Sequence, residues 1–164
     1  ILFSDQIELF VPPKKGKMHV LRIIRELIDF KPKSQQTDVA LALAYLSKVI
    51  KKKAIVFILS DFVTPPYEST LKISAKKHDI TGIRIYDERE KELPNVGMIN
   101  TYDAETGEEI LVNTGSKEVR NQYTAHFLKQ EDQFKKTFQK CGAGVINMRV
   151  DESYVKKLLG YFKA

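Results

Sequence analysis

Between Ile1 and Val11 the pattern of apolar and polar positions reads as two short strands. Ile1-Leu2-Phe3 is apolar, Ser4-Asp5 is turn-like, and Ile7, Leu9 and Val11 then alternate with Glu8 and Phe10. Alternation of this kind marks a strand, and Pro12-Pro13 ends it because proline cannot donate to a ladder. The two pieces predict a hairpin. After a loop at Lys14–Lys17, residues Val20, Ile23, Ile24, Leu27 and Ile28 fall at helical spacing, with Arg22, Arg25, Glu26 and Asp29 on the other side. That spacing predicts an amphipathic helix with one face on a core. Lys31 to Gln36 breaks it. A second helix opens at Thr37-Asp38, with Val39, Ala42, Leu43, Leu46, Val49 and Ile50 as its apolar face. Thr37 is the expected N-cap, because its hydroxyl can accept a bond from a free N–H of the first turn. The lysines Lys51 to Lys53 suit the negative end of the same helix.

Ala54 to Leu59 is apolar on both faces and stops at Ser60-Asp61. The run predicts a central strand covered by helices on each side. A short helix around Leu71–Lys77 and a strand over Ile80–Tyr86 follow. Strand, helix, strand in this order predicts a parallel pair joined by a right-handed crossover. Met98–Tyr102 and Glu109–Val112 flank Asp103-Ala104-Glu105-Thr106-Gly107 and predict a small hairpin insertion over about 97–114. A long helix runs from about Ser116 to Gln139 with Val119, Tyr123, Phe127, Phe134 and Phe138 as its stripe, and Gly142 and Gly144 end it. Val145–Val150 is a last strand, before a final helix with Val155, Leu158, Leu159 and Phe162 facing in. The order predicts an α/β fold: a Rossmann-like open, mostly parallel sheet with helices on both faces, in one domain over 1–164. Such sheets carry their sites at the carboxyl ends of the strands.

Composition narrows the class. The chain has 164 residues, 43% hydrophobic and 29% charged, which sets aside a disordered chain and a disulfide scaffold. Apolar runs reach about six residues, far below the ~20 of a membrane helix, so no membrane segment is expected. No signal or transit segment is visible, and the chain opens as if inside a strand, so it is expected to be part of a longer protein. The single cysteine, Cys141, has no internal disulfide partner, which fits a reducing, cytoplasmic compartment. A catalytic thiol would need a histidine in reach, and the sequence places none beside it. The net charge of +6 (27 − 21) permits an acidic partner. The runs Lys14-Lys15-Gly16-Lys17 and Lys51-Lys52-Lys53 read as a solvated loop and a helix end, so no nucleic-acid partner is expected.

The strand-end rule points first to Ser60-Asp61 and second to Asp87. Thr37-Asp38 begins a helix of the same layer, so Thr37 and Asp61 are expected to converge. Hydroxyl and carboxylate oxygens suit a hard cation such as Mg²⁺. Asp61 with Asp87 or Asp5 offers a second arrangement, a Mg²⁺- or Mn²⁺-dependent hydrolase. There is no glycine-rich phosphate loop, and His19, His78 and His126 lack metal-ligand spacing. Asp87-Glu88-Arg89-Glu90 reads as a solvated loop.

Ile1-Leu2-Phe3-Ser4-Asp5, Pro12-Pro13-Lys14-Lys15-Gly16, Thr37-Asp38 with its Ala-Leu helix, Ile55–Ser60-Asp61-Phe62, His78-Asp79-Ile80 to Ile85-Tyr86-Asp87, and Leu93-Pro94-Asn95-Val96-Gly97 together resemble the DUF58 family. The resemblance implies a domain similar to the von Willebrand factor A domain, with a metal-ion-dependent adhesion site holding Mg²⁺. In such a site an Asp-x-Ser-x-Ser segment, a threonine and an aspartate supply the ligands. Thr37 matches the threonine and Asp61 the aspartate, with Asp38 and Ser60 beside them on the partner-binding surface. No Asp-x-Ser-x-Ser occurs in this chain, so the resemblance implies an incomplete site whose first strand lies upstream of Ile1. It further implies a non-catalytic interaction module, an adaptor for a MoxR-type AAA+ ATPase. The unpaired sheet edge left without that strand favours self-association.

Overall fold

The computed structural model of the chain describes residues 1–102 and 108–163. The N-terminal hairpin forms as read, β1 (Leu2–Phe3) pairing antiparallel with β2 (Ile7–Leu9). Helix α1 (Lys17–Asp29) also forms, but none of its residues is buried. The expected core contact of α1 is therefore corrected: Met18, Leu27 and Ile28 face outward. Amphipathic spacing reports that a helix suits a core, not that a core lies against it. Helix α2 (Val39–Val49) buries Val39, Ala42, Leu43 and Leu46. Its cap is Asp38, not Thr37: the Asp38 carboxylate accepts from the Leu41 N–H at 2.9 Å. The helix starts one residue later than the pattern suggested, so the extended residue before its first turn is the aspartate.

Strand β3 (Ile55–Ser60), helix α3 (Glu68–Lys77) and strand β4 (Asp79–Tyr86) form the predicted crossover unit, with β3 and β4 parallel from Ile55 opposite Asp79 to Ser60 opposite Arg84. The stretch after β4, read as a solvated loop, makes one helical turn, α4 (Glu88–Lys91). Asp87 caps it through the Arg89 N–H at 2.8 Å, and Glu90 reaches back to the Asp87 N–H at 3.2 Å. Strands β5 (Met98–Tyr102) and β6 (Glu109–Asn113) pair only with each other among the described residues. The turn expected at Asp103–Gly107 lies outside the described residues. Helix α5 (Lys117–Lys140) buries Phe127, Phe134 and Phe138, while Tyr123 of the predicted stripe stays 36% exposed. Gly142 follows α5 with φ +70, the left-handed exit a helix end takes most easily with glycine. Strand β7 (Gly144–Arg149) then pairs parallel with β4, and helix α6 (Tyr154–Lys163) closes the described chain.

The main sheet is thus a parallel three-stranded one in the order β3-β4-β7. One face carries the core. Ile58 and Ile80 pack there with Leu43 and Leu46 of α2, Leu71 of α3, and Phe134 and Phe138 of α5. Gly82 lets α5 approach: a Cβ at this position would sit 2.5 Å from the Phe138 ring. Helix α6 meets the opposite face. The Tyr161 hydroxyl lies 3.2 Å from Thr81 Oγ1, and the Phe162 ring meets Phe57 edge-on at 6.1 Å. Among the described residues the middle strand of this sheet is β4, buried from Ile80 to Arg84, and β3 lies beside it with one strand neighbour. Ile55, Phe57 and Leu59 are 70%, 42% and 57% exposed. A strand apolar on both faces is built to be covered, yet among the described residues nothing fully covers this face.

Candidate functional site

The carboxyl ends of β3 and β4 bring the predicted loops together. The link is Thr64, a residue the sequence reading did not single out. Its hydroxyl donates to the Thr37 carbonyl at 3.0 Å and accepts from the Val39 N–H at 3.2 Å. The start of α2 is thereby fastened to the loop that follows β3. The N-terminal hairpin joins the same place, its Ser4 carbonyl accepting from the Asp38 N–H at 3.0 Å. Thr37-Asp38 and Ser60-Asp61 therefore lie on loops that Thr64 ties together, with no direct bond between Thr37 and Asp61 among the described residues.

The Ser60–Val63 turn is tightly organised. The Phe62 N–H donates to Ser60 Oγ at 3.0 Å, and the Val63 N–H donates to Asp61 Oδ1 at 3.2 Å. Phe62 holds φ +59, unusual for a bulky side chain. Its ring is anchored 4.4 Å from Phe134 and 5.3 Å from Phe138. Asp61 itself is exposed. A groove of about 240 Å³ runs beside this turn, between Phe62–Tyr67 and the Gln130, Gln133 and Thr137 side of α5.

Arg84 secures the turn from below. It is 2% exposed, and its Nε donates to the Asp61 carbonyl at 3.2 Å. The guanidinium lies over the Phe127 ring at 4.4 Å and near Tyr86 at 5.6 Å. Its Nη1 is buried without a protein partner among the described residues. Nothing in the sequence marked this arginine, since an Arg in an apolar strand carries no signal of which groups will face it. Further along the edge, Arg149 at the end of β7 pairs with Glu88 at 2.9 Å and also holds Asp151. The Arg149 guanidinium, hydrogen-bonded to Glu88, holds that carboxyl below the usual range.

The hydrolase arrangement fares differently. The Asp87 carboxylate is taken up by its own helix turn, and Asp5 accepts from the Ser4 hydroxyl at 3.3 Å on the N-terminal hairpin. Thr37 and Asp61 are oxygen donors of the kind Mg²⁺ takes, but they bring one carboxylate between them. Among the described residues no group of three or more His, Cys, Asp or Glu is placed to hold a metal ion. The residues present do not by themselves fit a Mg²⁺ centre. Burial raises the pKa of the Cys141 thiol, and neighbouring Glu68 raises it further, so thiolate chemistry is disfavoured there. His78 is buried, with both ring nitrogens unpartnered among the described residues, and His126 meets Gln130 at 3.0 Å.

Among the described residues no helix is long and apolar enough to cross a membrane. Comparison with known proteins finds relatives without assigned roles. The uncharacterized protein MAV169 of Mycobacterium avium is 24% identical over 159 residues, 94% of this chain and 92% of its own length. The uncharacterized protein Rv1480 of Mycobacterium tuberculosis is 24% identical over 156 residues, and the chain spans 48% of its length. Two solved structures share a partial likeness. Protein BatB of Bacteroides thetaiotaomicron aligns with TM-score 0.45 and 14% identity, over 88% of this chain and 70% of its own. An aerotolerance-related membrane protein of Bacteroides fragilis aligns with TM-score 0.47 and 12% identity, over 90% and 68%. A family model described as a protein of unknown function, DUF58, matches residues 1–133, and the chain belongs to that family.

Proposed function

We propose that this chain is a non-catalytic protein-interaction module of the von Willebrand A type, docking a partner at the carboxyl edge of its sheet. The observation that carries the reading is the Thr64 clamp, which sets the start of α2 and the Asp61 turn side by side. Docking needs an exposed polar group on a backbone that does not have to be ordered first. Asp61 supplies the group, and the hydrogen bonds of its turn supply the order. The family resemblance suggests a MoxR-type AAA+ ATPase as partner.

Calorimetric titration of a purified ATPase of that type into the chain tests this. Affinity is expected to fall about tenfold or more in Asp61→Ala, the scale of a contact at the centre of an interface. Equal affinity in wild type and Asp61→Ala overturns the docking site. Thr37 and Asp61 bring one carboxylate between them, so the docking reading does not rest on Mg²⁺. Phosphodiester turnover that depends on Asp61 would replace the docking reading with the hydrolase.

A further inference from the structure

The sheet has another edge at β7, on the far side of β4 from the edge that the upstream strand is expected to fill. The Val150 N–H donates to the Tyr86 carbonyl at 3.0 Å, so Gly144, Ile146 and Met148, in step with it, turn their backbone groups toward β4. Successive residues of an extended strand point these groups to opposite sides. The N–H and C=O of Val145, Asn147 and Arg149 therefore face away from β4. At Arg149 this edge is closed from within: its N–H donates to Glu152 Oε1 at 2.8 Å, and its carbonyl accepts from the Glu152 N–H at 3.2 Å. Val145 and Asn147 have no such closure, since β7 pairs with β4 alone among the described residues. They form the floor of a trough of about 620 Å³, walled by Glu131 and Lys135 of α5 and by Lys156, Lys157 and Tyr161 of α6.

We propose that an extended acidic segment of a partner protein enters this trough and adds to β7 as a further, antiparallel strand. Strand addition of this kind takes its affinity from main-chain bonds and its specificity from alternate side chains. Antiparallel pairing lets Val145 and Asn147 each exchange both of their bonds with one residue opposite. Opposed residues share a face of the sheet. Asn147 Nδ2 donates to Glu131 Oε1 at 2.8 Å, so Asn147 and Val145 turn their side chains to the α5 wall, and Ile146 between them turns to the α6 wall. On the α5 wall Glu131 also holds Lys135, so the charges cancel there. On the α6 wall Lys157 meets Glu152 at 3.2 Å, whereas Lys156 has no ion-pair partner among the described residues. The spare charge of the trough is positive and belongs to α6. The segment that fits has a carboxylate opposite Ile146 and uncharged side chains opposite Val145 and Asn147. The chain's net charge of +6 favours the approach of such a segment.

The probe is a fluorescein-labelled peptide, Ser-Thr-Val-Glu-Val-Thr-Ser, titrated with the 164-residue chain and read by fluorescence polarisation. Saturable binding is expected. N-methylation of both valines, whose amides meet the β7 edge, abolishes it, while N-methylation of the glutamate, whose amide points away from β7, leaves it. Lys156→Glu, at an exposed side chain, weakens binding about fivefold with the fold intact by circular dichroism. The peptide carrying lysine in place of glutamate binds the Lys156→Glu chain better than the wild type, which damage to the fold would not produce. No saturable binding of the glutamate peptide overturns the proposal. Equal binding of the peptide methylated on both valines overturns it too, because charge would then suffice without a strand. Lys156 and the β7 edge play no part in docking at Asp61, so the failure of one proposal is distinct from the failure of the other.

Discussion

Strands β3 and β4 lie side by side and are similarly rich in Ile, yet they live in different solvents. From Ile80 to Arg84 every residue of β4 is buried, whichever way it points. In β3 only Ile58 is buried, while Ile55, Phe57 and Leu59 look into water. The difference lies in the neighbours. β4 has a strand on each side, α5 on one face and the Tyr161 contact of α6 on the other. Among the described residues β3 has one strand neighbour and, on its second face, the Phe162 ring. Burial is a property of position in the assembly, and residue type only sets how much is gained by it.

Stability measurements can break this comparison. Removing the Phe138 ring, which is fully buried against Gly82 of β4, is expected to cost about 3–5 kcal/mol in urea denaturation. A loss comparable to that of a surface substitution would mean that the α5 face is not the core. Arg84→Met exchanges a buried guanidinium for an apolar side chain of similar length. Global stability should stay within about 1 kcal/mol, because the cost of burying the charge goes with it. The Phe62 and Val63 amides should nonetheless exchange faster, since the Asp61 carbonyl loses its donor. Unchanged exchange would show that the turn holds without Arg84.

His78 sharpens the contrast through pH. Burial, and then the charge of Lys77, lower its pKa, so the fold favours the neutral ring more than the unfolded chain does. The unfolded chain takes up the proton near pH ~6.5. Stability from this group is therefore complete above that pH and falls as the solution is acidified through it. His78→Leu should flatten that part of the profile, and an unchanged profile would assign the dependence elsewhere. The smallest effect belongs to the bare face. Leu59→Thr, measured at concentrations where the chain is monomeric, should move stability by no more than about 0.5 kcal/mol.

Much of the fold was legible in the order of apolar blocks. Val39 to Ile50, Ile55 to Ser60, Ile80 to Tyr86 and the Phe127-Phe134-Phe138 stripe each formed the expected element. What periodicity could not supply was the neighbour of each face. Ile24 and Leu27 in α1 carry the same spacing as Leu43 and Leu46 in α2, but one pair is exposed and the other buried. For the site, the rule that loops gather at strand ends was what pointed to Thr37 and Asp61. The groups that organise those loops were silent, because Thr64 and Arg84 act through backbone carbonyls that no residue letter records. Thr37 and Asp38 are both good capping residues, and one residue of helix length decided between them.

The left-handed backbone of Phe62 has a kinetic meaning. A phenylalanine held there stores strain that any loosening of the loop would release, and the ring contacts with Phe134 and Phe138 oppose that release. Unlatching the turn would mean pulling a half-buried aromatic ring off Phe134 and Phe138, so local opening loosens the edge of the core. A visitor to this edge then meets one shape on every collision. Its capture rate should be set by encounter and orientation, not by waiting for the loop to move.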